Sequence, residues 1–232
     1  VKKSIIELKD KHKGADIYVV GSGKSLDYVH KSFFENKITI GVNCVYRHFK
    51  CTYNVVVHSN IAQQIINEAS NPVVSNYDTF SKNKEADFEG DYYVFKYLPH
   101  NRDGSINPLV FDYPDTLLIT SSIITTGIHF AYYLGAKNII LCGHDCCTLD
   151  GEPHYNGYYD ALSNERKLHF RRKLPSFLIN LSYKTINLRS ILIWKGVNLV
   201  SLSPFIGLQH EGHKIGSFKR RIIEKQGRLF ND

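Results

Sequence analysis

The stretch IYVVGSGKSL, residues 17–26, decides how the rest of the chain reads. An apolar run leads into Gly21 and Gly23, which bracket Ser22, and Ser25 follows before the next apolar position. This order predicts a buried strand ending in a tight turn, with backbone amides and hydroxyls presented at the start of a helix. A helix start leaves amide donors without internal partners and carries partial positive charge, so it suits a phosphate or a sugar acid. The stretch lacks the third glycine of the dinucleotide fingerprint, and the loop before Lys24 is too short for a phosphate loop. An ordinary strand-to-helix turn explains it equally well, so other segments have to decide.

Outward from this turn, apolar runs alternate with helical spacing. Leu26, Val29, Phe33 and Phe34 predict a helix closed by Asn36 and Lys37, and strands are expected at 16–20, 38–42 and 53–57. Ser59 or Asn60 can cap a helix carrying Ile61, Ile65 and Ile66, with short strands at 73–74 and 92–95 beyond it. Residues 75–91 read as a polar excursion, and 98–115, with three prolines, as a loop over the strand ends. A helix at 120–134 presents Ile123, Gly127, Ala131 and Leu134 as one stripe, and a buried strand at 138–142 stops at Gly143. The polar, aromatic segment 144–175 reads as a solvated helix or loop, or as an acceptor surface. A helix at 176–194 and a strand at 197–202 complete the pattern. Strands separated by helices predict an α/β, Rossmann-like, mostly parallel doubly wound sheet with helices on both faces and a polar insertion after 138–142. We divide the chain into an arm or leading helix at 1–15, a nucleotide-binding catalytic domain at 16–205 and a basic extension at 206–232.

Composition narrows the partners. A net charge of +7 over 232 residues favours an anionic partner, whether nucleotide, phosphorylated glycan or lipid surface. The basic tail suits peripheral contact with an anionic membrane. Neither zinc-finger spacing nor the aromatic signature of RNA-binding sheets is present, so nucleic acid is not the expected partner. No window approaches the roughly twenty apolar residues of a membrane span, and the opening has no signal-peptide pattern, which reads as cytoplasmic. Five cysteines, two of them adjacent, fit reduced thiols better than disulfides or a zinc set.

The stretch CGHDCCTLDGEPHYNGYYD, residues 142–160, holds most of the candidate chemistry. His144 or His154 can act as a base near neutral pH, and Asp145 can orient a histidine. Asp145 and Asp150 could instead hold a magnesium that screens a diphosphate. The plainer alternatives are a loop-capping carboxylate for Asp145 and a surface position for His154. Asn43 and His58 fall at strand ends, and the Asn43 amide suits a sugar or base unless it only closes an Asx turn. Thr125, Thr126 and Gly127 could reach a phosphate from an early helix turn, or the hydroxyls could bond back to the helix. Tyr155, Tyr158 and Tyr159 are candidates to pack on a ring or a sugar face. No GxSxG elbow supports a serine nucleophile.

Four pieces together, GSGKSL at 21–26, the strand end at Val42 and Asn43, TTGIHFAYYLGAKNIILCGHD at 125–145 and DGEPH at 150–154, carry a family resemblance. The chain resembles the superfamily of bacterial sialyltransferases and DUF115 proteins, which includes motility-associated flagellin glycosyltransferases and hydroxymethylpterin pyrophosphokinases. The resemblance spans roughly residues 16–205. It implies nucleotide-binding roles for Gly21, Gly23, Ser25, Asn43, Thr126 and Gly127; we place Ser22, Thr125 and Gly143, which opens the flagellin-type segment, at the same expected site. His144, Asp145, Asp150, Gly151 and His154 match the flagellin-type segment. The histidine that sialyltransferases carry before their last helix has no counterpart in 177–185, and His169, upstream, is the substitute on offer.

The leading expectation is a glycosyltransferase using a CMP-activated sialic acid or related nonulosonate, a glycan or glycoconjugate acceptor, and no required cofactor. The alternatives are a pterin pyrophosphokinase using magnesium with ATP, and a non-catalytic nucleotide- or glycan-binding module.

Overall fold

The computed structural model describes residues 1–57, 59–76, 90–99, 106–108, 111–149, 152–158, 164–202 and 209–210, with backbone alone at 59–60, 99, 164–175 and 209–210. The strands are β1 (Lys2–Ser4), β2 (Asp16–Val20), β3 (Ile38–Val42), β4 (Tyr53–Val56), β5 (Val73–Asn76), β6 (Tyr92–Pro99), β7 (Thr116–Ile119), β8 (Asn138–Cys142), β9 (Asn198–Ser201) and β10 (Gln209–His210). Among the described residues three α-helices accompany them: α1 (Ser59–Glu68), α2 (Ile123–Tyr133) and α3 (Asn164–Trp194). The sheet order is β1-β6-β5-β4-β3-β2-β8-β9-β10, with β7 on the second half of β6, and the strand pairs are parallel throughout. The Rossmann-like expectation is met. Because β3 and β8 flank β2 on opposite sides, chain progression reverses at β2, and the crevice outside the ends of β2 and β8 is the switch point where such sheets hold ligands.

Parallel strands buried on both faces read as unbroken apolar runs, which is why β2, β3 and β8 were legible from sequence. Ile17, Val19, Ile40, Val42, Ile139 and Leu141 pack with α2 and with Leu181, Leu188 and Leu192 of α3. Tyr18, Val20, Ile140 and Cys142 point the other way, toward Leu26, Phe34, Phe49 and Tyr155. That second face differs from expectation. The helix foreseen after the glycine turn is two short 3-10 segments, Lys24–Tyr28 and Lys31–Phe34, interrupted where the His30 ring caps the second one by accepting from the Ser32 amide at 3.3 Å. Edge-to-face contacts among Tyr18, Phe33, Phe34 and Phe49 cover this side in place of a continuous amphipathic helix.

Three further corrections concern lengths and ends. α3 is one helix from residue 164, so the second half of the polar segment belongs to it. Residues 116–119, left unassigned between the loop expected at 98–115 and the helix expected from 120, form β7. The arm and the extension each contribute a strand, β1 and β10, to the sheet. Among the described residues no helix is long and apolar enough to cross a membrane.

Close packing of α2 depends on Gly127, where an added Cβ would stand 2.9 Å from Val19 and 3.2 Å from Val42. Two residues further along α2, His129 is fully buried: its Nδ1 accepts from the Leu118 amide at 2.9 Å while Nε2 faces the Phe111 carbonyl at 2.8 Å. A carbonyl can only accept, so the ring is the neutral Nε2–H tautomer, and a second proton on Nδ1 would break the bond to β7. Burial pushes its pKa down to about 4. With the folded value below the unfolded 6.5, the unfolded chain binds more protons between these limits, so the stability is present above about pH 6.5 and lost as pH falls toward 4. Such a shift corresponds to about 3 kcal/mol for His129. We therefore expect the denaturant midpoint to drop between pH 6.5 and 4, and His129→Phe to flatten that slope; an unchanged slope in the variant would refute the assignment.

Candidate active site

The ends of β2 and β8 are joined through their backbones. The Gly21 amide donates to Cys142 O at 2.8 Å and the Gly23 amide to Gly143 O at 2.6 Å. Side chains are excluded here, since a Cβ on Gly23 would lie 2.7 Å from Gly143 O and 2.6 Å from Asp145 Oδ2. Gly143 adopts φ +62°, a conformation glycine reaches without strain, and a Cβ there would meet Leu26 at 2.6 Å. Asp145, buried, accepts from the Ser25 amide at 2.8 Å and from the Ser25 hydroxyl at 2.5 Å. The anion at Ser25 is thus the chain's own carboxylate. The amide and hydroxyl of Ser25, where a phosphate contact was expected, both hold the β8 loop through Asp145.

A second strap carries His154 to this turn. Its backbone bridges Gly23, and the Tyr155 amide donates to Ser22 O at 3.1 Å. Lys24 Nζ reaches Asp27 at 2.7 Å and Asn156 Oδ1 at 2.9 Å, while Asp27 accepts from the Asn156 amide. His154 Nδ1 lies 3.1 Å from both the carbonyl and the hydroxyl of Ser22, and the ring stacks on Tyr158 with centroids 4.1 Å apart. Donation to the carbonyl places the proton on Nδ1 and the lone pair on Nε2. Burial holds the His154 pKa at about 4, so the ring is neutral at pH 7.

These elements enclose a cavity of about 590 Å³, within the range of small-ligand sites. Gly21, Ser22, Gly23, Asn43, Gly143, His144, Asp145, His154 and Tyr158, scattered through the sequence, all line it. Asn43 stands at the end of β3 with φ +51°, and its Oδ1 is buried without a hydrogen-bond partner. His144 is less available: it is buried, its Nε2 lies 2.8 Å from Thr185 Oγ1 of α3, and burial takes its pKa to about 4. Burial pushes the Cys146 and Cys147 thiols up, so neither is a ready thiolate.

Other candidates fall elsewhere. Thr125, Thr126 and Gly127 are buried under the sheet outside the cavity lining, and Thr125 Oγ1 donates back to Ser122 O at 2.7 Å. Tyr155 is buried in the second core cluster, its hydroxyl on Cys44 O. His58, Asp150, Gly151 and Tyr159 lie outside the described residues, as does the side chain of His169, whose backbone is in α3. Sequence reasoning missed the α2 start, where Thr120, Ser121 and Ser122 line the cavity, and Phe177 and Leu181 of α3. The serine pair before the helix was the available signal, as an N-cap signature.

No protein-family model matches the chain, and no curated protein matches its sequence. Among solved structures, the MAf glycosyltransferase of Magnetospirillum magneticum AMB-1 is similar with a TM-score of 0.53 and 13% identity over 87% of this chain. The chain spans about a third of that protein's length (34%). The sialyltransferase CstII of Campylobacter jejuni, in complex with the substrate analogue cytidine-5'-monophosphate, aligns at a TM-score of 0.45 and 18% identity, covering 87% of this chain and 91% of that one. The MAf likeness is one of fold.

Among the described residues no three His, Cys, Asp or Glu side chains converge as a metal set. Gly23→Ala tests the loop junction: the strand-end loops would have to separate, and we expect a loss of about 1–3 kcal/mol by chemical denaturation. Wild-type stability in that variant would refute the packing described.

Proposed function

We propose that the chain is a glycosyltransferase that takes a nucleotide-activated acidic sugar, CMP-sialic acid or a related CMP-nonulosonate, and passes it to a glycan or glycoconjugate hydroxyl. The observation that carries this reading is Asn43. A buried amide oxygen without a partner costs about 1–3 kcal/mol, and here it borders a cavity at the switch point of a parallel sheet. A cytosine amino group or a ribose hydroxyl is the kind of donor it lacks. The fold neighbour from Magnetospirillum is itself a glycosyltransferase.

In the reaction proposed, the bond between the anomeric carbon and the phosphate oxygen breaks, and its electron pair leaves with the phosphate. The acceptor oxygen bonds to that carbon and gives its proton to Nε2 of His154. A neutral ring with its lone pair on Nε2 is in the right form to accept it, although a pKa near 4 makes it a weak base until negative charge enters the cavity. His144, turned toward Thr185, is assigned the positioning of α3 instead. The magnesium-dependent pyrophosphoryl alternative would need Asp145 to take the metal on the lone pairs that its two bonds from Ser25 leave over.

The test is a thermal-shift panel of CMP, CDP, UDP, GDP and ATP with and without magnesium, followed by donor hydrolysis. Selective stabilisation by CMP or CDP without metal is expected; a response to ATP with magnesium alone would overturn the reading. Asn43→Ala should weaken CMP binding by roughly tenfold, the worth of one hydrogen bond to a buried group. His154→Ala should lower kcat by about 10²–10⁴ with CMP affinity retained, and unchanged turnover would remove His154 from the base role.

A further inference from the structure

Lys184 sits on the core face of α3, in the series Phe177, Leu181, Lys184 and Leu188, and is only 8% exposed. Lysine is seldom buried to this degree without an opposite charge, because removing an ammonium from water costs several kcal/mol. Its recorded partner is neutral: Nζ donates to Ser121 Oγ at 3.1 Å. Among the described residues no carboxylate pairs with it, and burial lowers its pKa with no opposing charge.

Lys184 stands behind the cavity lining, and the residue it touches is part of that lining. Ser121 lines the cavity, as do Ser122, Ile123 and Ile124 at the start of α2. Ser122 is the N-cap of this 11-residue helix yet makes no side-chain capping bond, so the helix begins at the cavity wall with its donors and partial positive charge. The glycine turn suits an anion less well, since it already holds the Asp145 carboxylate.

We propose that Lys184, together with Ser121 and the first turn of α2, is the subsite for the phosphate of the nucleotide donor. This rests on the reading of the cavity as a nucleotide-sugar site and adds the residue that takes the charge of the departing phosphate. As the phosphate leaves with the electron pair of the broken bond, its charge rises, and an ammonium already held beside Ser121 can strengthen its hydrogen bond with little reorganisation. Asn43 then holds the nucleoside end, and Lys184 the phosphate end.

The experiment compares binding of CMP, cytidine and inorganic pyrophosphate by calorimetry in the wild type, Lys184→Met and Ser121→Asp. In the wild type CMP should bind more tightly than cytidine. Lys184→Met should weaken CMP and pyrophosphate roughly 10- to 100-fold, the range of a hydrogen bond to a charged group, and leave cytidine unchanged. Ser121→Asp, which supplies an internal carboxylate, should abolish the preference for CMP while raising the melting temperature, and it serves if the methionine variant fails to fold. An unchanged ratio of CMP to cytidine affinity in the variants would overturn the Lys184 subsite and leave the nucleotide reading standing. Pyrophosphate binding that depends on Lys184, with no nucleotide bound, would keep the subsite and overturn the nucleotide reading. Binding of none of the three would overturn both.

Discussion

Everything in the site hangs on two strand ends being able to touch. Backbone bonds from Gly21 and Gly23 to Cys142 and Gly143 need bare Cα positions, and the Asp145–Ser25 bonds lock the loops once they meet. The interaction is local in space and remote in sequence, 120 residues apart for Ser25 and Asp145. It fixes the β8 loop, which carries His144 toward α3, and it fixes the turn on which the His154 strap lies. A buried carboxylate is tolerable there because a backbone amide and a hydroxyl both donate to it.

The glycine turn therefore illustrates how one pattern supports two kinds of anion. Amides and hydroxyls after a strand suit a phosphate, and they suit a carboxylate from the next loop for the same electrostatic reason. Sequence alone carries no sign of which anion is present, because the competitor, Asp145, is distant along the chain. The 3-10 conformation of Lys24–Tyr28 compounds this, since so short a segment has little aligned dipole to offer an external ligand.

Elements with one dominant period were legible. β2, β3 and β8 announced themselves as apolar runs, and α2 by its stripe, so the sheet and the switch point followed. Residues Asn43, His154 and Gly143 were legible as strand-end or loop positions, though only the fold places them around one cavity. The misreadings have physical causes. Phe33 and Phe34 satisfy helical spacing, yet their rings pack edge to face in a way that 3-10 turns allow. Thr125 and Thr126 lie one turn too deep, and the hydroxyls bordering the cavity belong to Ser121 and Ser122. Lys184 occupied an apolar stripe position between Leu181 and Leu188, a conflict between residue type and spacing that pattern reading passes over as noise.

That conflict bears on how the cavity orients a ligand. One part of the lining carries the Asp145 carboxylate, bonded to Ser25; another is the start of α2, where Ser121 lines the cavity and takes the bond of Lys184 behind it. Unlike charges held at different places around a cavity act as a dipole, and an asymmetric ligand aligns with it. A nucleotide sugar is such a ligand, with its charge concentrated at the phosphate and its hydrogen-bonding edge at the base. Asn43, on a third strand end, offers an uncharged amide, which favours neither sign and can read shape and hydrogen-bond pattern alone. On the nucleotide-sugar reading proposed above, phosphate anchoring would set the register of the ligand, and the groups acting on the acceptor would need no charge of their own in the resting protein. The neutral state of His154 follows from the same economy, because a ring kept uncharged by burial gains basicity only when a ligand brings negative charge beside it.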